Sequence, residues 1–300
     1  MGHSISPTLH SAVYAQLGID AKYDKIHVPE KELGTFVESL KRGHAENEEE
    51  KICGINVTIP HKIAILPFLD KVTGDAHLAG AVNTVVRGEG ANADHLSGYN
   101  TDMDGLLRAL QCSGSGYKDN VVCIAGAGGA AIGAAVKAAL EGAKIVRVIA
   151  RNMGRAGTVC TIASEASSGN TIVECAEFRE GSIPAEAIAD ADVFLNATPM
   201  GMSGAGVDFT DFTFMDAMPK TAFVYDCVYI PAETSLIKEA RLRGLGAENG
   251  LSMLVWQGLM SDVYFLRAAG ETRYGETELL TKEMFEFVYG ELEAAMANKS

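Results

Sequence analysis

Val121 to Ala125 is an unbroken apolar run, followed by glycines, an alanine-rich stretch to Leu140, and a second strand-like stretch, Ile145 to Ala150. Runs this short and apolar suit strands buried on both faces of a parallel sheet, and the segment between them suits the crossover helix. Such a βαβ unit constrains the chain to an α/β fold with a doubly wound sheet. Gly126, Gly128 and Ala131 stand between the first strand and the helix as G-x-G-x-x-A. Gly126, Ala127, Gly128, Gly129 and Ala130 are therefore candidates to present backbone N–H groups to a dinucleotide pyrophosphate at a helix N-terminus. A glycine turn that serves only close packing has the same spacing; strand, helix and next strand in register favour the binding reading.

The end of the second strand decides between the two nicotinamide dinucleotides. An NAD enzyme places a carboxylate there for the ribose hydroxyls, but this chain reads Ala150, Arg151, Asn152, Met153, Gly154, Arg155. Two guanidinium groups on one loop suit a 2′-phosphate, so Arg151, Asn152 and Arg155 point to NADP. A solvated basic turn is the plainer alternative.

Three hundred residues exceed the usual size of one core, which predicts two domains or one large doubly wound sheet with additions. The formal net charge of -14 repels phosphate backbones and anionic lipid, so neither nucleic acid nor a membrane is expected as a partner. An anionic cofactor or substrate then needs local positive groups. Cys53, Cys112, Cys123, Cys160, Cys175 and Cys227 are scattered without metal-ligand spacing, so they read as reduced, small core hydrophobes and no metal is expected. The N-terminus lacks a charged start followed by an apolar run, which predicts a cytoplasmic enzyme.

The first hundred residues read as a helix over Pro7–Leu17, a strand over Lys22–Val28, a helix over Glu30–Lys41, a solvated polar loop over Arg42–Lys51 and a strand over Ile52–Ile59 ended by Pro60. A short helix over Lys62–Leu69, a hairpin of Ala81–Arg87 with Asp94–Tyr99 around Gly88–Ala93, and a helix from Asp104 to Gln111 follow. Beyond the βαβ unit, Asp192–Asn196 and Ala222–Tyr225 read as buried parallel strands, and Leu251–Ala268 and Thr277–Met296 as closing helices. The texture changes after the Gly/Ser-rich stretch Ser113–Tyr117, and domain boundaries are expected near Met103 and near Gly250.

Seven segments then fall into a known order: GINVTIPHK from Gly54, GAVNT from Gly80, GYNTD from Gly98, GAGGAA from Gly126, LNATPMGM from Leu195, YDCVY from Tyr225 and GLSMLVWQG from Gly250. Together they resemble the shikimate dehydrogenase family. The resemblance implies an N-terminal α/β substrate domain over 1–103, joined by a C-terminal helix over about 276–300, and a Rossmann NADP-binding domain over 104–275, with the active-site cleft between them. It implies reversible NADP-dependent interconversion of shikimate and 3-dehydroshikimate, a small-molecule substrate, and a monomer or homodimer. Lys62 falls on the family's catalytic lysine and Asp102 on its paired aspartate. Oxidising a secondary alcohol requires a proton to leave oxygen as hydride leaves carbon, and a lysine beside a carboxylate can carry that proton. Burial would lower the lysine's pKa and the aspartate would raise it, so sequence leaves the net direction open.

The resemblance further implies Ser4, Ser6, Thr58, Asn83, Tyr229 and Gln257 as substrate-binding residues. Asn196, Ala197, Thr198, Cys227, Gly250 and Met253 would line the cofactor. Plainer roles stay open at several positions: Ser4 or Ser6 as a helix cap, Asn83 as a turn residue, Met253 as core packing. Three departures stand out. The family has a short strand before the serine motif, where this chain begins Met1-Gly2-His3-Ser4; Met103 replaces a usual glycine; and Ser252 sits in the usual Gly-x-Gly-Met stretch. A truncated start, another segment in the strand's place, or an impaired substrate half each fits the first. The rival functions are a quinate/shikimate dehydrogenase using NAD(P) and a non-catalytic cofactor-binding relative.

Overall fold

The computed structural model describes residues 4–42, 52–88, 92–179 and 182–297. Met1 to His3, nearly all of the expected polar loop and the centre of the Gly88–Ala93 turn lie outside these residues. The chain divides into two compact units, 1–105 with 254–300, and 106–253.

In chain order the first unit opens with α1 (Ser6–Leu17), α2 (Leu33–Arg42), β1 (Gly54–Asn56), α3 (His61–Ala64), β2 (Lys71–Val72), α4 (Gly74–Ala79), β3 (Thr84–Arg87) and β4 (Leu96–Tyr99). Helix α5 (Thr101–Cys112) leads into the second unit. There β5 (Val121–Ala125), α6 (Gly129–Leu140), β6 (Ile145–Ala150), α7 (Met153–Ala166), β7 (Ile172–Glu177), β8 (Val193–Asn196), β9 (Phe223–Asp226), α8 (Ser235–Leu242) and β10 (Gly246–Asn249) follow. Helices α9 (Leu251–Ala268), α10 (Glu276–Leu279) and α11 (Lys282–Ala297) close the chain. From Leu254 onward α9 groups with the first unit, so the chain returns there earlier than the expected position near 276.

The first unit's sheet has the order β1-β3-β4-β2; β1 and β3, and β3 and β4, run antiparallel, while β2 runs parallel to β4. Val37, Leu40, Ile65, Val82, Val85 and Leu96 form its buried centre. The expected strand over Lys22–Val28 has no ladder: β1 pairs with β3 alone among the described residues, and β propensity without a partner strand does not make one. The expected strand over Ile52–Ile59 contracts to the three residues of β1, because Thr58 begins a turn closed by His61 N–H on Thr58 O at 2.9 Å.

The second unit's sheet is parallel throughout, in the order β10-β9-β8-β5-β6-β7. Read from β7 this is 3-2-1-4-5-6, the doubly wound order whose switch point lies between its first and fourth strands, here β5 and β8. Every residue of β5 and β8 is buried, and Cys123, Phe194, Phe214, Met215 and Val224 fill the core on one face. Strands β7 and β10 escaped the sequence reading because both are sheet edges with charged, largely uncovered side chains. The expected helix over Thr277–Met296 breaks at Leu280, and Thr281 starts α11 by accepting from Met284 N–H at 3.1 Å.

All six cysteines are free. Cys123 is a core residue, but Cys112 and Cys175 are exposed and the other three are partly so, which corrects their reading as core hydrophobes. No helix among the described residues is long and apolar enough to cross a membrane.

Candidate active site

In the first unit the turn at Thr58–His61 delivers Lys62 to the second position of α3. The turn is held from two sides. His61 Nε2 bonds Val28 O at 2.7 Å, and Lys62 O accepts from Val82 N–H at 2.9 Å. Asp102 sits in the first turn of α5, where a carboxylate is favoured by the helix dipole, and Thr101 N–H is pinned by Asn83 Oδ1 at 2.7 Å. These anchors bring Lys62 Nζ to 2.5 Å from Asp102 Oδ2, with the two side chains 30% and 26% exposed. A pair this open contributes about 0–1 kcal/mol to stability, and both groups stay reachable from solvent.

Behind the pair lies a buried polar network. Asn83 Nδ2 donates to Thr101 Oγ1 at 2.9 Å and to Gln257 Oε1 at 3.4 Å. Thr84 and Ser261 hydroxyls meet at 2.9 Å, and Asn56 Nδ2 donates to both, at 3.1 and 3.0 Å. Asn83 is thus far from a simple turn residue: at 3% exposure it joins β3, α5 and α9. Asn56, Thr84, Thr101 and Ser261 were missed by sequence reasoning. The first three lie inside the GINVTIPHK, GAVNT and GYNTD segments, and Ser261 follows Gln257 by four residues, one helical turn, which was the available signal.

Ser4 and Ser6 are partly exposed, with Ser4 Oγ donating to Ser6 Oγ at 3.3 Å. The N-cap position of α1 is Ile5, which makes no side-chain bond, but Ser4 Oγ accepts from Ser6 N–H, the first of the helix, at 3.4 Å, so the capping alternative stays open for Ser4 and falls for Ser6. Thr58 is exposed and its hydroxyl has no partner among the described residues. Lys62, Asp102, Asn83, Gln257, Ser4, Ser6 and Thr58 all belong to the first unit; Tyr229 belongs to the second. Burial pushes the Tyr229 phenol up, which keeps it a hydrogen-bond donor.

In the second unit the glycine turn follows β5 at the switch point. Gly126 has φ +121°, and a Cβ there would lie 2.9 Å from Ala197 O, so backbone alone fits between the β5 and β8 loops. At Gly128 and Gly129 a Cβ would meet nothing within 4 Å: the N-terminus of the 12-residue α6 opens onto free space, with Gly128, Gly129 and Ala130 exposed. This cradle fits a pyrophosphate. Arg151 and Arg155 are exposed and their guanidinium groups have no partner among the described residues, as a 2′-phosphate clamp requires. Asn152 spends its Oδ1 as the N-cap of α7, accepting from Arg155 N–H at 3.0 Å.

Asn196, expected to line the cofactor, is fully buried. Its Nδ2 donates to Asp226 Oδ1 at 2.8 Å, and its Oδ1 accepts from Thr198 Oγ1 at 2.6 Å, so it shapes the Ala197–Thr198 loop from beneath. Gly250 packs where a Cβ would strike Cys227 O at 2.3 Å, and Met253 N–H donates to the buried Tyr225 OH at 3.1 Å. Ser252, the departure from the usual pattern, is itself buried and bonds Tyr225 OH at 3.0 Å. Met103 is also buried, at 2% exposure.

Asp226, in the YDCVY segment, had not been singled out. It accepts from Asn196, from Val228 N–H at 3.0 Å and from Thr234 Oγ1 at 2.6 Å, tying the loop after β8 to the loop after β9. Burial lifts its carboxyl to about 6 against the opposing pull of those hydrogen bonds. Since the folded value lies above the unfolded one near 3.8, the protonated group's contribution is fully present below about pH 4 and is lost as pH rises through about 6. Asp226→Asn cannot titrate. The difference in unfolding free energy between wild type and this variant, from urea titrations, is expected to change by up to ~3 kcal/mol across that window. A pH-independent difference would contradict the burial of this carboxyl.

A parallel sheet in this order, with a glycine turn at its switch point, defines a dinucleotide-binding α/β protein, and its other unit holds an ammonium–carboxylate pair, Lys62 with Asp102, of a kind able to exchange a proton. Residues 1–85 match the profile of the shikimate dehydrogenase substrate binding domain. The shikimate dehydrogenase (NADP(+)) of Streptococcus uberis is 35% identical over 258 residues, 85% of this chain and 84% of that protein. The structure of shikimate 5-dehydrogenase from Listeria monocytogenes, in complex with shikimate and NAD, superposes with a TM-score of 0.78 at 31% identity over 89% of each chain. Quinate dehydrogenase from Corynebacterium glutamicum, in complex with NAD, gives 0.76 at 28% identity, covering 96% of this chain and 95% of that one. The chain belongs to the shikimate dehydrogenase family.

Proposed function

We propose that this chain catalyses the reversible NADP-dependent oxidation of shikimate to 3-dehydroshikimate, with the first unit binding the substrate and the second the cofactor. The 2.5 Å contact of Lys62 Nζ with Asp102 Oδ2 carries the reading, because it joins two residues from separate motifs into one proton-handling group. NADP, when bound, supplies the hydride acceptor or donor. Lys62 takes the proton of the reacting hydroxyl in oxidation and returns it to the oxygen in reduction. Asp102 fixes the amine's position. Asn83 and Gln257 face the ring hydroxyls, and Ser4, Ser6, Thr58 and Tyr229 offer further hydroxyl groups. Gly126 to Ala130 hold the pyrophosphate, Arg151 and Arg155 the adenosine side, and Ala197, Thr198, Cys227, Gly250 and Met253 the nicotinamide side, while Asn152 and Asn196 shape the loops that present them. The joined Lys62–Asp102 pair argues against a non-catalytic relative. We place the enzyme in the cytoplasm, as a monomer or homodimer.

The choice of shikimate over quinate rests on Ser4 and Ser6, whose hydroxyls lie together at the start of α1, as one carboxylate would require. Ser4→Ala and Ser6→Ala are each expected to raise KM for shikimate roughly 5- to 30-fold, the ~1 to 2 kcal/mol of a hydrogen bond to a charged group, with kcat little changed. Steady-state rates on shikimate and quinate test this. Faster turnover of quinate by the wild type would replace the substrate.

A further inference from the structure

Within the first unit, helix α9 from Leu254 onward turns two adjacent faces to its neighbours. Gln257 and Ser261, one turn apart, join the Asn83–Thr84–Thr101 network; Gly258 and Asp262, also one turn apart, pack on α1. At Gly258 a Cβ would lie 2.6 Å from both methyl carbons of Leu9, which is fully buried and has nowhere to swing. One turn on, Asp262 Oδ1 accepts from His10 Nδ1 at 2.8 Å and from Tyr14 OH at 2.9 Å, with all three residues buried. The Tyr23 ring stacks on His10 at 4.0 Å, and its hydroxyl donates to Asn56 Oδ1 at 2.9 Å, which leads back to Ser261. The contacts thus run from Asp262 through His10, the stacked Tyr23 ring and Asn56 back to Ser261.

This cluster is poor as a source of stability. Asp262 is 0% exposed and its Oδ2 has no partner among the described residues, and a half-satisfied buried carboxylate costs more than apolar packing of the same shape. Its bonds do fix the distance and rotation of α1 relative to α9. His10 lies four residues after Ser6 on the same helix face, and Asp262 follows directly on Ser261.

We propose that His10, Asp262 and Tyr14, with the Leu9–Gly258 contact, are positioning residues that set Ser4 and Ser6 in register with Asn83 and Gln257 for substrate binding. The proposal rests on assigning those four residues to the substrate. Burial, reinforced by Asp262, holds the Tyr14 phenol far above its ordinary range, so it stays a donor to Asp262 throughout the working pH range.

The test compares His10→Leu, which keeps bulk and removes the donor, with His10→Asn, which keeps a donor near the position of Nδ1. Hydrogen exchange of the α1 amides is read without substrate, beside KM for shikimate and for NADP. His10→Leu is expected to speed α1 exchange and to raise KM for shikimate about tenfold or more, with KM for NADP within about twofold of wild type. His10→Asn is expected to stay within about threefold on shikimate. Tyr14→Phe, which takes one hydroxyl from the same carboxylate, serves if His10→Leu does not fold, and is expected to raise the shikimate KM at least about threefold. A folded His10→Leu or Tyr14→Phe variant with wild-type α1 exchange and wild-type KM overturns the proposal. So does equal impairment of His10→Leu and His10→Asn, which would make the site one of packing alone. If α1 loosens as expected while the wild type itself turns over no shikimate, the clamp stands and the substrate assignment falls.

Discussion

Replacing Lys62 by alanine is expected to lower kcat by about 10²- to 10⁴-fold, the range of a lost general acid–base group, with KM for NADP and thermal unfolding nearly unchanged. The separation of effects follows from the geometry. Lys62 and Asp102 are roughly a third exposed or less and joined at 2.5 Å, so their pairing adds little to folding, while nothing in the second unit's glycine turn depends on them. Asp102→Asn keeps the side chain's shape and removes its charge, so it is expected to fall between wild type and Lys62→Ala. Single-turnover rates with unfolding curves check both variants. Activity of Lys62→Ala within about twofold of wild type, or an equal loss of folding stability in the two variants, would contradict the assigned chemistry.

The second large effect concerns the choice of dinucleotide. Arg151→Ala and Arg155→Ala are each expected to raise KM for NADP by roughly 5- to 150-fold, about 1 to 3 kcal/mol for a charge-assisted contact, with KM for NAD changed far less. Both side chains are exposed and unpartnered among the described residues, so their loss leaves the fold intact. They are also local positive groups on a chain of net charge -14, so the preference for NADP is expected to weaken as salt is added. Initial rates with each cofactor decide it. Equal effects on NADP and NAD would remove the clamp.

What could be read from the sequence was set by how each residue meets its surroundings. The central strands β5, β6, β8 and β9 are mostly apolar because both their faces are largely covered, β6 being interrupted only by Arg147, and their positions were legible to within a residue or so. Edge strands β7 and β10 carry Glu174, Glu177, Glu248 and Asn249, so no apolar run betrays them. Lys22–Val28 has strand composition but no neighbour to pair with among the described residues. The glycine turn was legible because its spacing is a backbone requirement, seen here in the φ of Gly126. The polar network behind the site was not legible, since Asn56, Thr84, Thr101 and Ser261 meet only through tertiary packing across as many as 205 positions of sequence. Asp226 stayed hidden for a related reason: a lone buried carboxylate looks like any surface aspartate until Asn196 and Thr234 close around it. Asn152 and Asn196 show the limit of transferring a motif residue by residue, as each spends its side chain on holding a loop.

The central claim is most directly tested by following the absorbance of reduced nicotinamide when the purified protein is given shikimate or quinate, each with NADP and with NAD. Shikimate with NADP is expected to give the highest kcat/KM of the four combinations, and substituting Lys62 by alanine is expected to abolish nearly all of it. Absence of turnover in all four combinations, from protein shown to be folded, would contradict the account.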